Sequence, residues 1–157
     1  MEQRLNFYQK GHSALAGMYA LSQHLSKSPV EKSLLELIHF RVSQINGCAY
    51  CLDMHSKDLR AAGETEQRLY VLDAWREAPF YSDRERAALA YAEAITKLTG
   101  ANVPDEVYDE ACRQFTDAEL IDLTLSIVQI NSFNRLNITF RIKAGGYKVG
   151  EHAALTT

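Results

Sequence analysis

Cys48 and Cys51 stand three residues apart, and His55 follows four residues later. On a helix these two thiols and the imidazole fall within about 60° of one another, on the side shared by Leu52, Leu59 and Ala62. Asp53, Lys57 and Arg60 point the other way, so the reactive groups face inward. Helical spacing puts the two cysteine Cα atoms about 5 Å apart, inside the range that a disulfide requires. Asn46-Gly47 immediately precedes the pair, which places both thiols in a first helical turn, where free amides and the macrodipole favour an anion. An ordinary thiol with a pKa of ~8.5 is only about 3% thiolate at pH 7, and a pKa of ~6.5 demands about 2.7 kcal/mol of preferential thiolate stabilisation. The dipole supplies up to ~2 kcal/mol and His55 part of the rest, against the cost of burial. Cys51 is one turn from His55 and Cys48 two, so Cys51 exchanges its proton with the imidazole more directly.

Glu36 is a fourth candidate. It lies about 200° from Leu34 on the preceding helical segment, away from the apolar face, with His39 and Ser43 on its own side. If the two helices pack as a hairpin, this polar strip meets His55, and a carboxylate there orients the imidazole and takes up protons. Other uses of the pair stay open. Cys48, Cys51 and His55 supply three zinc ligands, and a fourth would be Cys112, His39 or Glu36. Haem attachment requires histidine directly after the second cysteine, where Leu52 stands, and a thioredoxin-like site requires a βαβ context. The cysteines are also consistent with plain core packing.

The elements that must position these groups read as helices throughout. Ser28, Pro29 and Glu31 give a capping residue, a first-turn proline and a capping-box partner. From there Leu34, Leu35, Leu37, Ile38, Val42 and Ile45 share one apolar face until Asn46-Gly47. A second helix runs from Cys48 to Ala62, with Gly63 as its terminator. Further helices are predicted over 65–77, over 83–99 behind a Ser82/Glu85 capping box, over 104–115 after Pro104, and over 117–140 behind Thr116/Glu119. Leu15, Met18, Leu21 and Leu25 indicate a helix over roughly 12–26. The tail 142–157, with Gly145, Gly146 and Gly150, reads as irregular and partly disordered.

Several residues take plain readings. Cys112 is an inert buried thiol, His39 a polar-face residue, and His12, His24 and His152 carry no signal. Trp75 with Leu69 and Leu72 is helix packing, and Asp83 to Arg86 is a solvated first turn. Gln129, Asn131, Ser132, Asn134, Arg135 and Asn137 form an amide-rich run, unusual because asparagine is a poor helix former. It is assigned to a subunit interface, with the mouth of the active site as the alternative.

Composition narrows the rest. Of 157 residues, 46% are apolar and 24% charged, enough for one soluble domain with its own core. Only 8 Gly and 3 Pro leave little material for the turns of an all-β fold. The fold expected is all-α, a single multi-helix domain over 1–157 built around an antiparallel hairpin that carries the cysteines. A net charge of −3 without a basic block argues against nucleic acid or an anionic membrane. No apolar run approaches the ~20 residues of a membrane span and the segment MEQRLNFYQK lacks a signal-peptide core, so a cytoplasmic protein is expected. Apolar and amide surface on helix 117–140 exceeds what one small domain buries, which predicts a homo-oligomer.

Glu36, eleven intervening residues, and then Cys48-x-x-Cys51-x-x-x-His55 resembles the core motif of the alkylhydroperoxidase D-like branch of the carboxymuconolactone decarboxylase family. The text ELIHFRVSQINGCAYCLDMHSKDLRAAGET extends the similarity over about residues 33–100. The resemblance implies an all-helical fold, trimers or hexamers, and reduction of hydroperoxides through the cysteine pair with no metal or haem cofactor. It implies that Cys51 attacks the peroxide, Cys48 resolves, and His55 and Glu36 relay protons. A lipoyl protein or a peroxiredoxin partner is the electron donor that it suggests. Some members carry a second histidine between the cysteines, and Tyr50 stands there in this chain. The competing readings are a lactone decarboxylase, whose branch does not rely on a cysteine pair, and a non-catalytic or zinc-stabilised helical oligomer.

Overall fold

Leu34, Leu37, Ile38 and Val42 form the buried face of the helix on which the rest of the chain is assembled. A computed structural model describes residues 2–152. Among these residues the order is α1 (Phe7–Lys10), α2 (Ala16–Leu25), α3 (Lys32–Asn46), α4 (Ala49–Ala61), α5 (Glu66–Tyr70), α6 (Asp83–Lys97), α7 (Asp105–Gln114) and α8 (Asp117–Phe140), with no strand. α3 packs against α4, α6 and α8, and α7 closes over α6. The core joins the α3 face to Leu59 of α4, Leu72 and Trp75, Ala88, Leu89 and Ala92 of α6, and Leu123, Ile127 and Ile130 of α8. Each large aliphatic side chain so buried contributes about 1.5–3 kcal/mol.

The junction between α3 and α4 sets up the site. Gly47 adopts the left-handed conformation (φ 68°), its N–H bonds to the Gln44 carbonyl at 3.2 Å, and the Cys48 N–H reaches back to Ser43 at 3.1 Å. This is a Schellman stop, which ends α3 at a residue with no Cβ penalty. Cys48 is at once the N-cap of α4. The hairpin is therefore joined by Gly47 and Cys48 alone, which makes the facing positions of α3 and α4 calculable from the turn.

A buried ionic knot locks the far side of α3. Arg41 gives its Nε–H to Glu93 at 2.9 Å, a second nitrogen approaches the same carboxylate at 2.8 Å, and it also meets Gln44 and Asp73. Trp75 Nε1–H and an Arg76 N–H both donate to Glu93 at 2.9 Å. Burial opposes ionisation of Glu93, but these three donors and the Arg41 charge outweigh it and hold its pKa at about 2.

The structure revises several expectations. Residues 65–77 are not one helix: α5 ends at Tyr70 and Leu72–Ala74 form a 3-10 turn. Leu69, Leu72, Trp75, Ala78 and Tyr81 are all buried, a period of three that a 3-10 turn aligns on one side. The Ser28/Glu31 capping box is absent. Ser28 instead accepts the Val30 N–H, and Glu31 pairs with Arg84 at 3.1 Å. The helix expected over 12–26 is shortened to α2, behind the single turn α1, whose N-cap Asn6 accepts the Gln9 N–H. Asp83 to Arg86 is more than a solvated turn. Arg84 joins Glu31 to Glu119 and lies over the Phe115 ring, Glu85 completes a capping box, and Arg86 donates to the carbonyls of Trp75 and Tyr81.

The tail is docked rather than loose as far as residue 152; residues 153–157, part of the predicted irregular tail, lie outside the described residues. The Gly145 N–H donates to Asp53 at 2.9 Å, Lys57 donates to the Tyr147 carbonyl at 3.1 Å, and the Tyr147 hydroxyl donates to Asp58 at 2.7 Å. The polar face of α4, expected to meet solvent, is thereby half covered. Cys112 is also a correction: it is exposed on α7, because the burial of that helix turns on Ala111 instead.

Candidate active site

Cys48 and Cys51 are joined as a disulfide with Cα atoms 5.3 Å apart, matching the separation read from helical spacing. Both are almost fully buried. Cys48 Sγ accepts the Cys51 N–H at 3.3 Å in place of the usual Ser or Asp cap, so one of the free amides of α4 points at sulfur. Cys51 occupies the third helical position, inside the turn where the macrodipole acts.

The hairpin brings Glu36 to His55. Glu36 Oε2 lies 2.9 Å from His55 Nδ1, while His55 Nε2 is buried with no hydrogen-bond partner among the described residues. Burial opposes the Glu36 charge, but the hydrogen bond and charge of His55, with lesser help from His39 and Lys32, hold the carboxyl at about 2. His39 is not a bystander. Its Nε2 lies 2.7 Å from Ser126 Oγ, its Nδ1 lies 3.9 Å from Glu36 Oε1, and its ring centre is 5.2 Å from that of His55. Burial lowers the His39 pKa to about 4, and repulsion from His55 outweighed by Glu36 does not restore it, so this ring is neutral at pH 7.

α8 brings in the amide-rich run, for which the sequence offers the active-site mouth as the alternative to a subunit interface. Asn137 is buried, and its Nδ2 lies 3.5 Å from Cys51 Sγ. A disulfide sulfur can only accept, so the NH2 end of the amide faces it, and the Tyr8 hydroxyl donates to Asn137 Oδ1 at 3.3 Å. Burial pushes the Tyr8 pKa up to about 12. Asn134, fully buried, donates to Ser43 at 3.0 Å and accepts from Asn46 at 2.9 Å, fastening α8 to α3. The amide-rich run thus lies largely within the chain, at the site and its supporting seam, rather than at the interface to which it was assigned. The Tyr50 hydroxyl lies 2.8 Å from His152 Nε2, so the docked tail reaches the first turn of α4. Burial lowers the pKa of His152 and raises that of Tyr50.

These groups open on a cavity of about 1080 Å³. Its wall includes Cys51, His55, Glu36, His39, Ser126 and Asn137, with Leu25, Leu35, Ile130 and Phe133 as an apolar flank. Cys48 and Cys112 are not part of that wall. The arrangement can present one sulfur to a small molecule beside a carboxylate–imidazole pair, with the second sulfur held behind it. The zinc set built on both thiols and His55 is not assembled, since the sulfurs are bonded to each other.

Comparison with known proteins places the chain. An uncharacterised Bacillus subtilis protein, YdfG, is 42% identical over 144 residues, covering 92% of this chain and 98% of its own. The alkyl hydroperoxide reductase AhpD of Mycobacteroides abscessus is 41% identical over 75 residues, 44% of this chain and 42% of that protein. Among solved structures, ATU0492 from Agrobacterium tumefaciens, a protein of unknown function with a proposed antioxidant defence role as an AhpD, is 34% identical with a TM-score of 0.87 over 93% of this chain and 100% of its own. Residues 13–94 match the carboxymuconolactone decarboxylase family. The chain belongs to that family, and within it to the AhpD-like branch.

Proposed function

We propose that this protein is a thiol-dependent peroxidase working through its cysteine pair. The Cys51 thiolate attacks the distal oxygen of a hydroperoxide. The O–O bond breaks, Cys51 becomes a sulfenic acid, and the departing alkoxide takes a proton from His55 and leaves as an alcohol. Cys48 then bonds to the Cys51 sulfur and the sulfenic oxygen leaves as water. Two thiols and one hydroperoxide yield one disulfide, one alcohol and one water. Glu36 orients His55 and balances its positive form, and Asn137 donates to the Cys51 sulfur in its anionic state.

One observation carries this reading: Cys51, and not Cys48, shares the cavity wall with the His55–Glu36 pair. A lactone decarboxylase leaves the bonded sulfurs without a task. An external dithiol, from a lipoyl protein or a peroxiredoxin partner, returns the pair to its reduced form, and a cytoplasmic setting keeps such donors available. The assembly proposed is a homotrimer or a homohexamer.

The test is stopped-flow mixing of reduced protein with cumene hydroperoxide and with hydrogen peroxide. Wild type forms the disulfide with each. Cys51→Ser consumes no peroxide, whereas Cys48→Ser consumes one equivalent and is trapped by dimedone at Cys51. Labelling of Cys48 in Cys51→Ser, with none in the converse variant, reverses the assignment.

A further inference from the structure

Glu36, His39 and His55 make a second pattern that the thiol chemistry does not use as such. Glu36 and His39 are one turn apart on α3, and His55 faces them from α4. The ligating atoms that the three residues offer all lie within 4.8 Å of one another. Two separations are known individually: 2.9 Å from Glu36 Oε2 to His55 Nδ1 and 3.9 Å from Glu36 Oε1 to His39 Nδ1. Zinc held by arms of ~2.0–2.1 Å in a tetrahedron needs its ligand atoms roughly 3.3–3.4 Å apart. The largest adjustment is then about 1.5 Å, within the reach of side-chain rotation and without moving either helix. We propose that these three residues form a reversible binding site for a zinc-class divalent cation, held by two imidazole nitrogens and one carboxylate.

The surroundings fit that use. His39 Nε2 is fastened to Ser126, the kind of outer contact that fixes a ligating imidazole and turns its other nitrogen to the ion. That other nitrogen, Nδ1, lies 3.9 Å from the Glu36 carboxylate, too far for a hydrogen bond; in the tautomer whose Nε2–H donates to Ser126, its lone pair and the carboxylate leave between them a gap that a cation fills. On His55, Nε2 has no hydrogen-bond partner among the described residues, so no second hydrogen bond from them resists the tilt that brings Nδ1 onto the ion. All three residues border the cavity, which leaves a fourth coordination position open to water or a small ligand. The donor set, two neutral nitrogens and a carboxylate, suits zinc and its neighbours better than calcium or magnesium, which take oxygen ligands. A bound ion displaces the proton that His55 Nδ1 shares with Glu36, releasing it to solvent or to Nε2, so occupancy and the proposed proton relay exclude each other. The binding itself does not rest on the peroxidase reading.

The experiment titrates zinc chloride into untagged, disulfide-form Cys112→Ser protein by calorimetry, with cobalt(II) as a visible-absorption probe of the same site. Cys112→Ser removes the exposed thiol, and the disulfide removes the other two sulfurs. One ion per chain is expected, with the intense visible bands of low-coordinate cobalt. His39→Ala and Glu36→Gln abolish saturable binding, and Ser126→Ala weakens it by ~10–100-fold. His39→Gln repeats the test in a side chain that retains a polar contact, should the alanine variant fold poorly. His24→Ala, which alters the separate His24–Asp122 pair, leaves the affinity unchanged. Absence of saturable binding, or equal affinity in folded His39→Gln and wild type, overturns the proposal. The peroxide experiments are read in metal-free buffer, so failure of either idea leaves the other standing.

Discussion

Replacing Asn137 by Leu removes one N–H donor from Cys51 while keeping the branched shape and the heavy-atom count of the side chain. The contact is 3.5 Å long and buried, and Tyr8 holds the amide in the orientation that aims NH2 at sulfur. A hydrogen bond to a charged group contributes about 1.5–3 kcal/mol, and a long bond to a diffuse sulfur anion belongs at the low end. About 1.5 kcal/mol lost from the thiolate alone raises the Cys51 pKa by about 1 unit. Below the native pKa, thiolate and peroxide rate then both fall about ten-fold; above the variant's pKa the two rate curves converge. The measurement is ultraviolet thiolate absorbance against pH, with the alkylation rate as a second readout, in a Cys48→Ser, Cys112→Ser background where Cys51 is the sole thiol. Asn137→Asp should raise the pKa further by adding a negative charge, and Tyr8→Phe should raise it less, since the amide remains but turns freely. A folded Asn137→Leu protein with the wild-type Cys51 pKa refutes the role.

Other outcomes follow from the same geometry. His55→Ala and Glu36→Gln should slow peroxide reduction, by ~10²–10⁴-fold for the histidine, while diamide still forms the disulfide; loss of diamide oxidation as well would show that the residues only support the fold. Glu93 should share one window of acid stability with Glu36: its folded pKa of about 2 lies below the ordinary carboxylate value, so its contribution is complete above about pH 4.5 and fades as pH falls towards 2. The depression corresponds to about 3 kcal/mol, and Glu93→Gln should lower the melting temperature at pH 7 and make the slope in that window shallower, Glu36 supplying what remains; an unchanged slope in thermal melts argues against it. Ile121, Val128 and Ile138 are 60%, 48% and 46% exposed along α8, an apolar strip that the proposed oligomer covers. Light scattering should give a multiple of 17.7 kDa for wild type and a smaller species for Val128→Glu, and a monomeric wild type rejects the assembly.

What the sequence made legible is what local rules control. The caps at Ser82 and Thr116, the stop at Gly47 and the apolar face of α3 each depend on neighbours within one turn, and each is where spacing put it. The meeting of Glu36 with His55 was legible as a condition, that two helices form a hairpin. Asn137 is legible too, as part of the amide-rich run whose alternative placement is the active-site mouth, and its spacing decides between the two. Leu120, Leu123, Ile127, Ile130, Asn134 and Asn137 recur at alternating three- and four-residue steps, and all six are buried. The amides continue the apolar stripe, so they point inward with it, although amide polarity taken alone reads as surface. The docked tail was not readable in this way. Its anchors on Asp53, Lys57 and Asp58 join residues about 90 positions apart, and no local signal marks Tyr147 as buried.

The two-residue junction explains why the carboxylate and the imidazole meet at all. Glu36 lies eleven residues before Gly47, about 16 Å along α3, and His55 lies eight after it, about 12 Å along α4. In an antiparallel hairpin the two positions differ in height by only about 4 Å, which is the reach of a glutamate side chain. Rotation matters as much as height. One residue added to either helix turns everything beyond it by about 100° and would send one partner out of the interface. The same turn fixes Cys48 as N-cap, and with it the placement of Cys51 one helical turn before His55 on the cavity side. Glycine is needed at the turn because the backbone there is left-handed, and nothing crowds the space beside it, so the constraint is conformational rather than steric. The chemistry thus depends on a stop signal that touches none of the reacting atoms.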